Sequence, residues 1–349
     1  MKRVYLVFLL LAGLYSCKKD FTEPETTKKV NQKSQVAYNL NNWMQDIYST
    51  HRDVKYNEMV IPSAHDAATY KISMDSDWAK EAEWYKKLGG KRPAYFWSFT
   101  TRKSIYELLQ IGVRNFDIRL EYNGRGWYSY HGLLSTNFHE ILDDFKRFFS
   151  EHPKELVHIE LRADQMNEGE YRAMMGLWLN DIGANHILKK GDGLTPQSTI
   201  GQYWDKGINM VLSCSRDAES YKDYTWQNFW VATWAGSDKA QNVMDYIINN
   251  IKTRPMDKIY TSSFTQTPSS DVIVHGAFAK PKSLEDLCCQ ESKWGAVNTK
   301  IDEWLPKLAE SAYASGKKVN IITLDFPEFN NNTKKIVDWN FVQLERFNQ

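Results

Sequence analysis

Short runs rich in β-branched and aromatic residues alternate along this chain with longer amphipathic stretches, and this alternation restricts the possible folds most strongly. The strand-like runs lie at residues 59–62, 113–120, 127–131, 156–162, 208–213, 229–233, 258–262 and 319–325. The stretches at 104–110, 136–150, 167–182, 239–252 and 299–315 repeat apolar residues at three- and four-residue spacing, which is typical of helices. Strand-helix alternation predicts a parallel sheet covered by helices.

Two α/β architectures accommodate about eight parallel strands. One is a single (β/α)8 TIM-like barrel, regular or irregular, and the other is a doubly wound open sheet. In a barrel, catalytic groups collect at the carboxyl ends of different strands. Polar side chains stand at or just beyond five of the predicted strands: His65, Arg119, His131, Arg162 and Asp325. An inert core has no need of this pattern, so we predict the barrel with its site at these strand ends.

The N-terminus has the features of an export signal. A basic start is followed by an apolar run at 4–14 and by Leu14-Tyr15-Ser16-Cys17. The run is shorter than the ~20 residues that cross a bilayer, which favours cleavage over an uncleaved anchor. The pattern resembles a bacterial lipoprotein signal and implies a signal peptide at 1–16 and lipid attachment at Cys17. We expect an exported lipoprotein anchored to a bacterial membrane, at the outer membrane or the cell surface.

Residues 17–36 are polar and charged and contain too few apolar side chains to form a core. We interpret them as a flexible tether between the lipid and the folded part. No second linker interrupts residues 37–349. We therefore predict one barrel domain, and a monomer.

The composition excludes some classes of function. With 44 basic and 43 acidic residues the net charge is +1, so the chain lacks the basic surface that nucleic-acid binding requires. Cys214, Cys288 and Cys289 lack metal-ligand spacing, and we assign them no role. An aromatic fraction of 14%, with 13 Trp, favours a surface for sugars, lipids or peptides without choosing among them.

Two segments pair a titratable residue with an acid. His65 and Asp66 follow a strand and lie among small residues that leave a substrate room. On its own, the pair is also explained by a histidine in a loop beside an aspartate that caps a helix. Asp117 and Arg119 point to the same face of a strand, which suits a structural ion pair or a phosphate site.

A third segment ends in His131 and Gly132. A histidine can donate or accept a proton near neutral pH, and glycine permits close approach of a ligand to the backbone. The other histidines offer no comparable setting: His51, His139, His152, His158, His186 and His275.

In order and in spacing, these segments resemble the X domain of bacterial phosphatidylinositol-specific phospholipases C. The matching pieces are Ile61-Pro62-Ser63-Ala64-His65-Asp66, Phe116-Asp117-Ile118-Arg119 and His131-Gly132, with weaker likeness at 153–162, 206–212 and 319–326. The resemblance covers nearly the whole predicted domain. It implies a TIM-like barrel that needs no cofactor and cleaves an inositol phospholipid to diacylglycerol and a cyclic inositol phosphate.

The resemblance also implies roles for single residues. His65 matches the general base that takes the proton of the inositol 2-hydroxyl, and Asp325 matches the carboxylate that orients this base. His131 matches the general acid that protonates the departing diacylglycerol oxygen, and Asp66 matches the aspartate that assists it. Arg119 matches an arginine whose charge stabilises the pentacoordinate phosphorane.

The resemblance is less complete for the residues that are expected to contact a metal ion or the substrate. Arg119 and Arg162 fall where calcium-dependent relatives carry acids, and since Ca²⁺ needs clustered oxygen ligands, we expect no metal. Asp117 and Arg162 are expected to contact the substrate. Arg216 matches the family's inositol-binding arginine approximately, and Trp234 suits stacking on a ring face.

The segment at 84–99 is a candidate for contact with the membrane. It combines aromatic and basic residues: Trp84, Tyr85, Lys86, Lys87, Lys91, Arg92, Tyr95, Phe96, Trp97 and Phe99. Such a segment can enter a lipid interface, and aromatic packing over a barrel rim explains it equally.

Two classes of function remain open. The first is the enzyme, and the second is a catalytically idle, lipid-anchored barrel that holds a glycan or an inositol headgroup. The joint presence of an acid and a base favours the enzyme, because a binding module needs neither. A glycerophosphodiester phosphodiesterase shares the barrel but relies on metal-binding acids, which Arg119 disfavours. The sequence leaves open free phosphatidylinositol, a glycosylated inositol lipid or another phosphodiester.

The lipid anchor is directly testable. Cys17→Ala removes the thiol that would be acylated, and we expect the variant to leave the membrane fraction, because the lipid is what attaches the barrel to the bilayer. Fractionation of cells followed by immunoblotting measures this. A variant that stays wholly with membranes contradicts the lipoprotein interpretation.

Overall fold

The described part of the protein has a core of seven parallel strands. Helices pack on the outer faces of these strands. The computed structural model describes residues 36–347 apart from residue 88 and residues 217–219. The expected signal peptide, Cys17 and nearly all of the expected tether lie outside these residues. Within them, no helix is long and apolar enough to cross a membrane.

The strands and helices follow the predicted alternation. The strands in the described residues are β1 (Ile61–Ala64), β2 (Asn115–Tyr122), β3 (Trp127–His131), β4 (Leu133–Asn137), β5 (Val157–Arg162), β6 (Met210–Cys214), β7 (Trp230–Thr233), β8 (Ile259–Phe264) and β9 (Ile321–Leu324). The α-helices there are α1 (Trp43–Tyr48), α2 (Glu83–Lys87), α3 (Lys91–Ser98), α4 (Ile105–Gln110), α5 (Phe138–Glu151), α6 (Glu168–Trp178), α7 (Ile200–Asp205), α8 (Ala240–Ile251), α9 (Ser270–Gly276), α10 (Leu284–Cys289), α11 (Ile301–Ala314) and α12 (Asn332–Phe347).

The parallel strands are arranged in the order β6-β5-β2-β1-β9-β8-β7. Among the described residues, no ladder joins β6 to β7. A single bridge pairs Leu212 with Thr225, and the chain then enters β7 through a 3₁₀ turn at Gln227–Phe229. The predicted α/β TIM-like barrel is confirmed, in an irregular form that is not closed between these two strands.

The strand predicted at 127–131 has a different role from the one expected. It is β3, which runs antiparallel to β2 and forms a hairpin with the unpredicted β4. The reason lies in the connection, because the few residues from 123 to 126 cannot make a parallel crossover, which needs about a dozen or more. β2 extends beyond the other strands to Tyr122, and this extension carries the hairpin above the barrel rim.

Several helices begin at polar N-caps and bury their apolar faces against the strands. Ser104 with Glu107, and Asn167 with Glu170, form capping boxes at the starts of α4 and α6. On the outer side of β2, the ring of Phe116 packs edge-on against Phe145 of α5 at 5.4 Å. This packing fixes the strands whose ends carry the site.

The interior of the barrel holds a hydrogen-bonded polar network. His158 donates from Nδ1 to Asn115 Oδ1 at 2.5 Å and accepts at Nε2 from Ser213 Oγ at 2.7 Å. Asn115 Nδ2 donates in turn to Ser63 Oγ at 2.7 Å and to Glu160 Oε1 at 2.9 Å. Burial lowers the pKa of His158 to about 3, so this histidine is neutral and cross-links strands.

A buried ion pair stabilises the opposite end of the barrel. Arg114 Nε donates to Glu155 Oε2 at 2.7 Å, and Nη1 donates to the carbonyls of Leu109 and Val113, both at 2.8 Å. Both side chains of the pair are fully buried. Glu155 also accepts from the backbone N–H of Gln45 at 3.0 Å, so the pair attaches α1 to the start of the sheet.

Glu155→Gln keeps the shape of the side chain and removes its charge. We expect this change to lower the free energy of unfolding by about 3–5 kcal/mol, because it leaves the Arg114 guanidinium buried without its counter-charge. Urea unfolding followed by circular dichroism measures the loss. The control is Glu303→Gln, which affects an exposed pair with Lys307 and should leave the unfolding midpoint unchanged. Equal midpoints for the two variants would contradict this role of the buried pair.

Candidate active site

A cavity of about 570 Å³ opens at the carboxyl ends of the strands. Most of the residues expected from the sequence line it: His65, Asp117, Arg119, His131, Arg162, Trp234 and Asp325. Asp66 lies buried beside them, in contact with both histidines. The structure therefore brings residues from distant parts of the chain to one place.

His65 and Asp325 come together because β1 and β9 are neighbours. Ala64 pairs with Leu324 in parallel register, so the residues that follow each strand lie side by side. His65 Nδ1 donates to Asp325 Oδ1 at 2.8 Å. The proton on Nδ1 is thereby fixed, and Nε2 remains available to a substrate.

Asp66 occupies the centre of the site. Its carboxylate Oδ2 lies 3.4 Å from Nε2 of His65 and 3.4 Å from Nε2 of His131, and Oδ1 pairs with Nε of Arg119. Burial alone would raise the pKa of Asp66, but Arg119 and the histidines outweigh it and lower the pKa to about 2. Asp66 is therefore ionised at neutral pH.

The backbone at Asp66 is held in an unusual conformation. Its φ of 39° is in the left-handed region, which costs energy for a residue with a side chain. Two hydrogen bonds hold it there, from Thr100 Oγ1 to the Asp66 carbonyl at 2.9 Å and from the Ala67 N–H to the Asp117 carbonyl at 2.7 Å. This conformation turns the carboxylate toward the two histidines.

His131 reaches the site from the hairpin. Nδ1 donates to the carbonyl of Ser98 at 3.1 Å, so Nε2 faces Asp66. The ring of Tyr85 packs edge-on against the imidazole at 5.7 Å. We expected Gly132 to give a ligand close access to the backbone. Instead, the ring of Tyr85 packs against Gly132 so closely that a Cβ atom at this position would lie 2.7 Å from the ring.

The two arginines lie on adjacent strands, where Arg119 and Arg162 are register partners. Arg119 Nη1 lies 3.6 Å from Glu81 Oε1. Arg162 Nε lies 3.4 Å from Asp117 Oδ1, and Asp117 Oδ2 is 3.8 Å from His65 Nε2. The guanidiniums supply two fixed positive charges beside the histidines, which suits an anionic phosphodiester.

The carboxylates around His65 determine its charge. Burial opposes the imidazolium, but Asp66, Asp325 and Asp117 outweigh this effect and raise the pKa of His65 to about 9. The side chain is therefore protonated in the free protein at neutral pH. Its neutral form, which can accept a proton, becomes more populated as the pH rises toward 9.

One group of side chains has the proximity that a metal ion needs. In the described part of the chain, ligand atoms of His65, Asp66 and Asp117 lie within 4.8 Å of one another. Both acids already pair with arginines, Asp66 with Arg119 and Asp117 with Arg162. A divalent cation at this place would face those two guanidiniums at close range, which disfavours its binding.

Arg216 does not line the cavity. Its guanidinium donates to the carbonyl of Met166, lies 3.2 Å from Glu168 Oε2 and packs over the ring of Tyr171 at 5.2 Å. These contacts hold it against α6, so we leave it out of the site. Trp234 does line the cavity, is 58% exposed and donates to Thr267 Oγ1 at 3.0 Å.

The segment at 84–99 has some aromatic side chains that are buried and others that are exposed to solvent. Tyr85 and Trp97 are buried, and both line the cavity. Trp84 and Phe96 are 44% and 38% exposed. The segment therefore forms a wall of the site and also leaves aromatic side chains on the surface.

Several residues of the site were not predicted from the sequence. Cys288 Sγ lies 3.7 Å from Asp325 Oδ2, and Asn298 Nδ2 donates to the Asp325 carbonyl at 2.7 Å. Glu81 and Glu160 line the cavity. For Glu160 a signal was present, because it lies two residues before Arg162 and so faces the same side of the strand.

No family model matches the chain. A PI-PLC X-box domain-containing protein of Dictyostelium discoideum is 32% identical over 162 residues, which are 46% of this chain and 21% of that protein. The human PI-PLC X domain-containing protein 3 is 20% identical over 320 residues, 87% of this chain and 94% of that protein. A second Dictyostelium protein with an X domain is 31% identical, and the match spans about a fifth of the length of each Dictyostelium protein.

Solved structures match over a larger part of the chain. The phosphatidylinositol-specific phospholipase C of Listeria monocytogenes has a TM-score of 0.59 at 15% identity, covering 87% of this chain and 99% of that one. The Staphylococcus aureus enzyme has a TM-score of 0.57 at 15% identity, covering 87% and 98%. The chain thus has relatives with the X domain and shares the α/β barrel fold of the bacterial phosphatidylinositol-specific phospholipases C.

Proposed function

We propose that this protein is a phosphodiesterase of the phospholipase C type, which cleaves phosphatidylinositol or a related inositol phospholipid to diacylglycerol and a cyclic inositol phosphate. The observation that carries the proposal is the position of Asp66, 3.4 Å from Nε2 of both His65 and His131. Two histidines that present the same nitrogen to one cavity can act as base and acid in one reaction. The names of the similar proteins support the same reaction class.

In the proposed reaction, the neutral form of His65, which becomes more populated as the pH rises toward 9, takes the proton of the inositol 2-hydroxyl on Nε2, and the 2-oxygen attacks phosphorus. A bond forms between phosphorus and this oxygen, and the bond between phosphorus and the glycerol oxygen breaks. His131 Nε2 gives a proton to the departing oxygen. Asp325 holds Nδ1–H of His65, and the Ser98 carbonyl holds Nδ1–H of His131, so each Nε2 is directed toward the substrate.

Arg119 and Arg162 act on the phosphate. Their charges lie beside the histidines and would stabilise the negative charge that develops on the phosphorane oxygens. Their positions are set by ion pairs with Asp66 and Asp117, so little reorganisation is needed when the substrate binds. These pairs also leave the carboxylates unsuited to a metal ion, and the proposed reaction uses none.

The proposed location follows from the N-terminal sequence. A lipid at Cys17 would attach the protein to a bacterial membrane after export, and residues 17–36 would tether the barrel to it. The exposed rings of Trp84 and Phe96 stand on a segment that also walls the cavity, so membrane contact there would bring the site to its lipid substrate. We propose a monomer that binds no nucleic acid.

Two other functions have less support. An idle binding barrel needs neither two opposed histidines nor an ionised aspartate between them. A glycerophosphodiester phosphodiesterase would need a metal among His65, Asp66 and Asp117, where arginines already neutralise the acids.

The first test of the proposal identifies the products. The purified protein is incubated with phosphatidylinositol, and separately with phosphatidylcholine, with and without a chelator, and phosphorus NMR follows the reaction. We expect a cyclic inositol phosphate from phosphatidylinositol alone, at a rate that chelation changes by less than a few-fold. Loss of activity with chelator and its return with calcium would contradict the metal-free reaction. No cleavage of phosphatidylinositol would favour the binding protein.

The second test separates base from acid. His65→Ala and His131→Ala should each reduce turnover by ~10²- to 10⁴-fold, the usual size of general acid-base catalysis. A substrate with an aryl leaving group needs little protonation as it departs, so it should partly restore the His131 variant and not the His65 variant. Steady-state kinetics with both substrates measures this difference.

The matched control is His139→Ala, a histidine on the exposed start of α5, which should retain full activity. Equal rescue of both active-site variants by the aryl substrate would mean that the two roles are assigned wrongly. Full activity in both variants would reject the enzyme.

A further inference from the structure

We infer that Glu160 is a specificity-determining residue, whose carboxylate accepts a hydrogen bond from a ring hydroxyl of the polyol headgroup. The inference rests on the proposed function and adds a contact that the reaction itself does not require. It concerns the part of the cavity on the β5 side of His65, where the ring would lie once the phosphate is beside Arg119.

Glu160 is placed in the cavity by strand geometry. It lies on β5 two residues before Arg162, so both side chains face the barrel interior. In the parallel register it is the direct partner of Asp117 on β2. The residue is only 4% exposed, yet it lines the cavity.

The hydrogen bonds of Glu160 involve only one of its oxygens. Oε1 accepts from Asn115 Nδ2 and from Thr261 Oγ1, both at 2.9 Å. Oε2 forms no hydrogen bond with any residue that the structure describes. A carboxyl oxygen that the surrounding strands do not satisfy, on a side chain that lines the cavity, is suited to a ligand.

The carboxyl is also held firmly. Asn115, one of its two donors, is itself fixed by Ser63 and by His158. Thr261, the other donor, accepts from Trp230 Nε1 at 3.1 Å. Because both donors are anchored to separate strands, the orientation of Glu160 is set before any substrate binds, and binding costs little side-chain entropy.

The neighbouring residues indicate what the ligand group is. Burial and the neighbouring Asp117 raise the pKa of Glu160 to about 7, so it is ionised above this pH. In the ionised form Oε2 accepts hydrogen bonds and repels phosphate, so the group that faces Glu160 is a neutral donor such as a hydroxyl. Besides the N–H groups that act on the phosphate, the guanidinium of Arg162, on the same face, offers further N–H donors. Adjacent hydroxyls of a ring can therefore be held as a pair, one donating to Glu160 and the other accepting from Arg162.

The test compares two substrates. One is a short-chain phosphatidylinositol, and the other is a hydroxyalkyl aryl phosphodiester, which has the attacking hydroxyl but no other ring hydroxyl. Glu160→Gln keeps the size of the side chain and an oxygen for Asn115 and Thr261, but its amide nitrogen is a donor and cannot accept a hydrogen bond from a hydroxyl. Above pH 7, where Glu160 is ionised, we expect the ratio of kcat/KM values, inositol lipid over aryl diester, to fall by about 10- to 100-fold, as for the loss of a hydrogen bond to a charged group.

The matched control is Glu121→Gln. Glu121 is a buried carboxyl on the neighbouring β2, accepts from the Lys80 N–H at 2.9 Å and does not line the cavity. This variant should keep the wild-type ratio. If Glu160→Gln also keeps the wild-type ratio while cleaving both substrates, the inference is overturned and the proposed function stands. If the wild-type protein cleaves neither substrate, the proposed function fails and the inference fails with it.

A measurement on the unaltered protein covers the case in which the variant does not fold. A crystal of the wild-type protein soaked with myo-inositol should place a ring hydroxyl within hydrogen-bond distance of Glu160 Oε2. A bound ring that does not touch this oxygen overturns the inference. A cavity without the ring at saturating inositol argues against a polyol headgroup altogether.

Discussion

The candidate site depends on one buried charge, the carboxylate of Asp66. A buried carboxylate is costly unless it is paired, and here Arg119 and the protonated His65 supply the opposite charge, while His131 contacts the same carboxylate. The same contacts set the spacing of the two histidines, whose ring centroids are 6.3 Å apart. The contacts that compensate the buried charge of Asp66 are therefore the same contacts that position His65 and His131 for the proposed reaction.

Two parts of the fold bring these groups together. The parallel register of β1 with β9 places His65 beside Asp325, and the hairpin of β3 and β4 brings His131 to the same oxygen of Asp66 that His65 contacts. The hairpin is tied to the loop after β1, since Ser129 and Thr136 both donate to the carbonyl of Ala68 at 2.7 Å. The two histidines thus belong to one connected region, while the opening between β6 and β7 belongs to another part of the barrel.

The sequence was sufficient for the parts of the structure that local patterns control. Runs of β-branched and aromatic residues located the parallel strands, and the polar residues at or just beyond five strand ends predicted charged groups that line the cavity. The antiparallel direction of β3 was missed although its short connection to β2 indicated it. The position of Arg216 and the packing of Tyr85 on Gly132 depend on contacts between distant elements, which no local pattern encodes. The same is true of Cys288 and Asn298, which contact Asp325 from other segments.

The carboxylates that surround His65 hold its proton, and the charge of the proposed site depends on these contacts. Proton NMR of the imidazole, with its resonance assigned by comparison with a His65 variant, measures this directly in the wild-type protein. The account predicts a titration midpoint of about 9 for His65. A midpoint at or below ~6.5, the ordinary value for histidine, would contradict the account, because the acids next to His65 could not then be ionised and close to it in the folded protein.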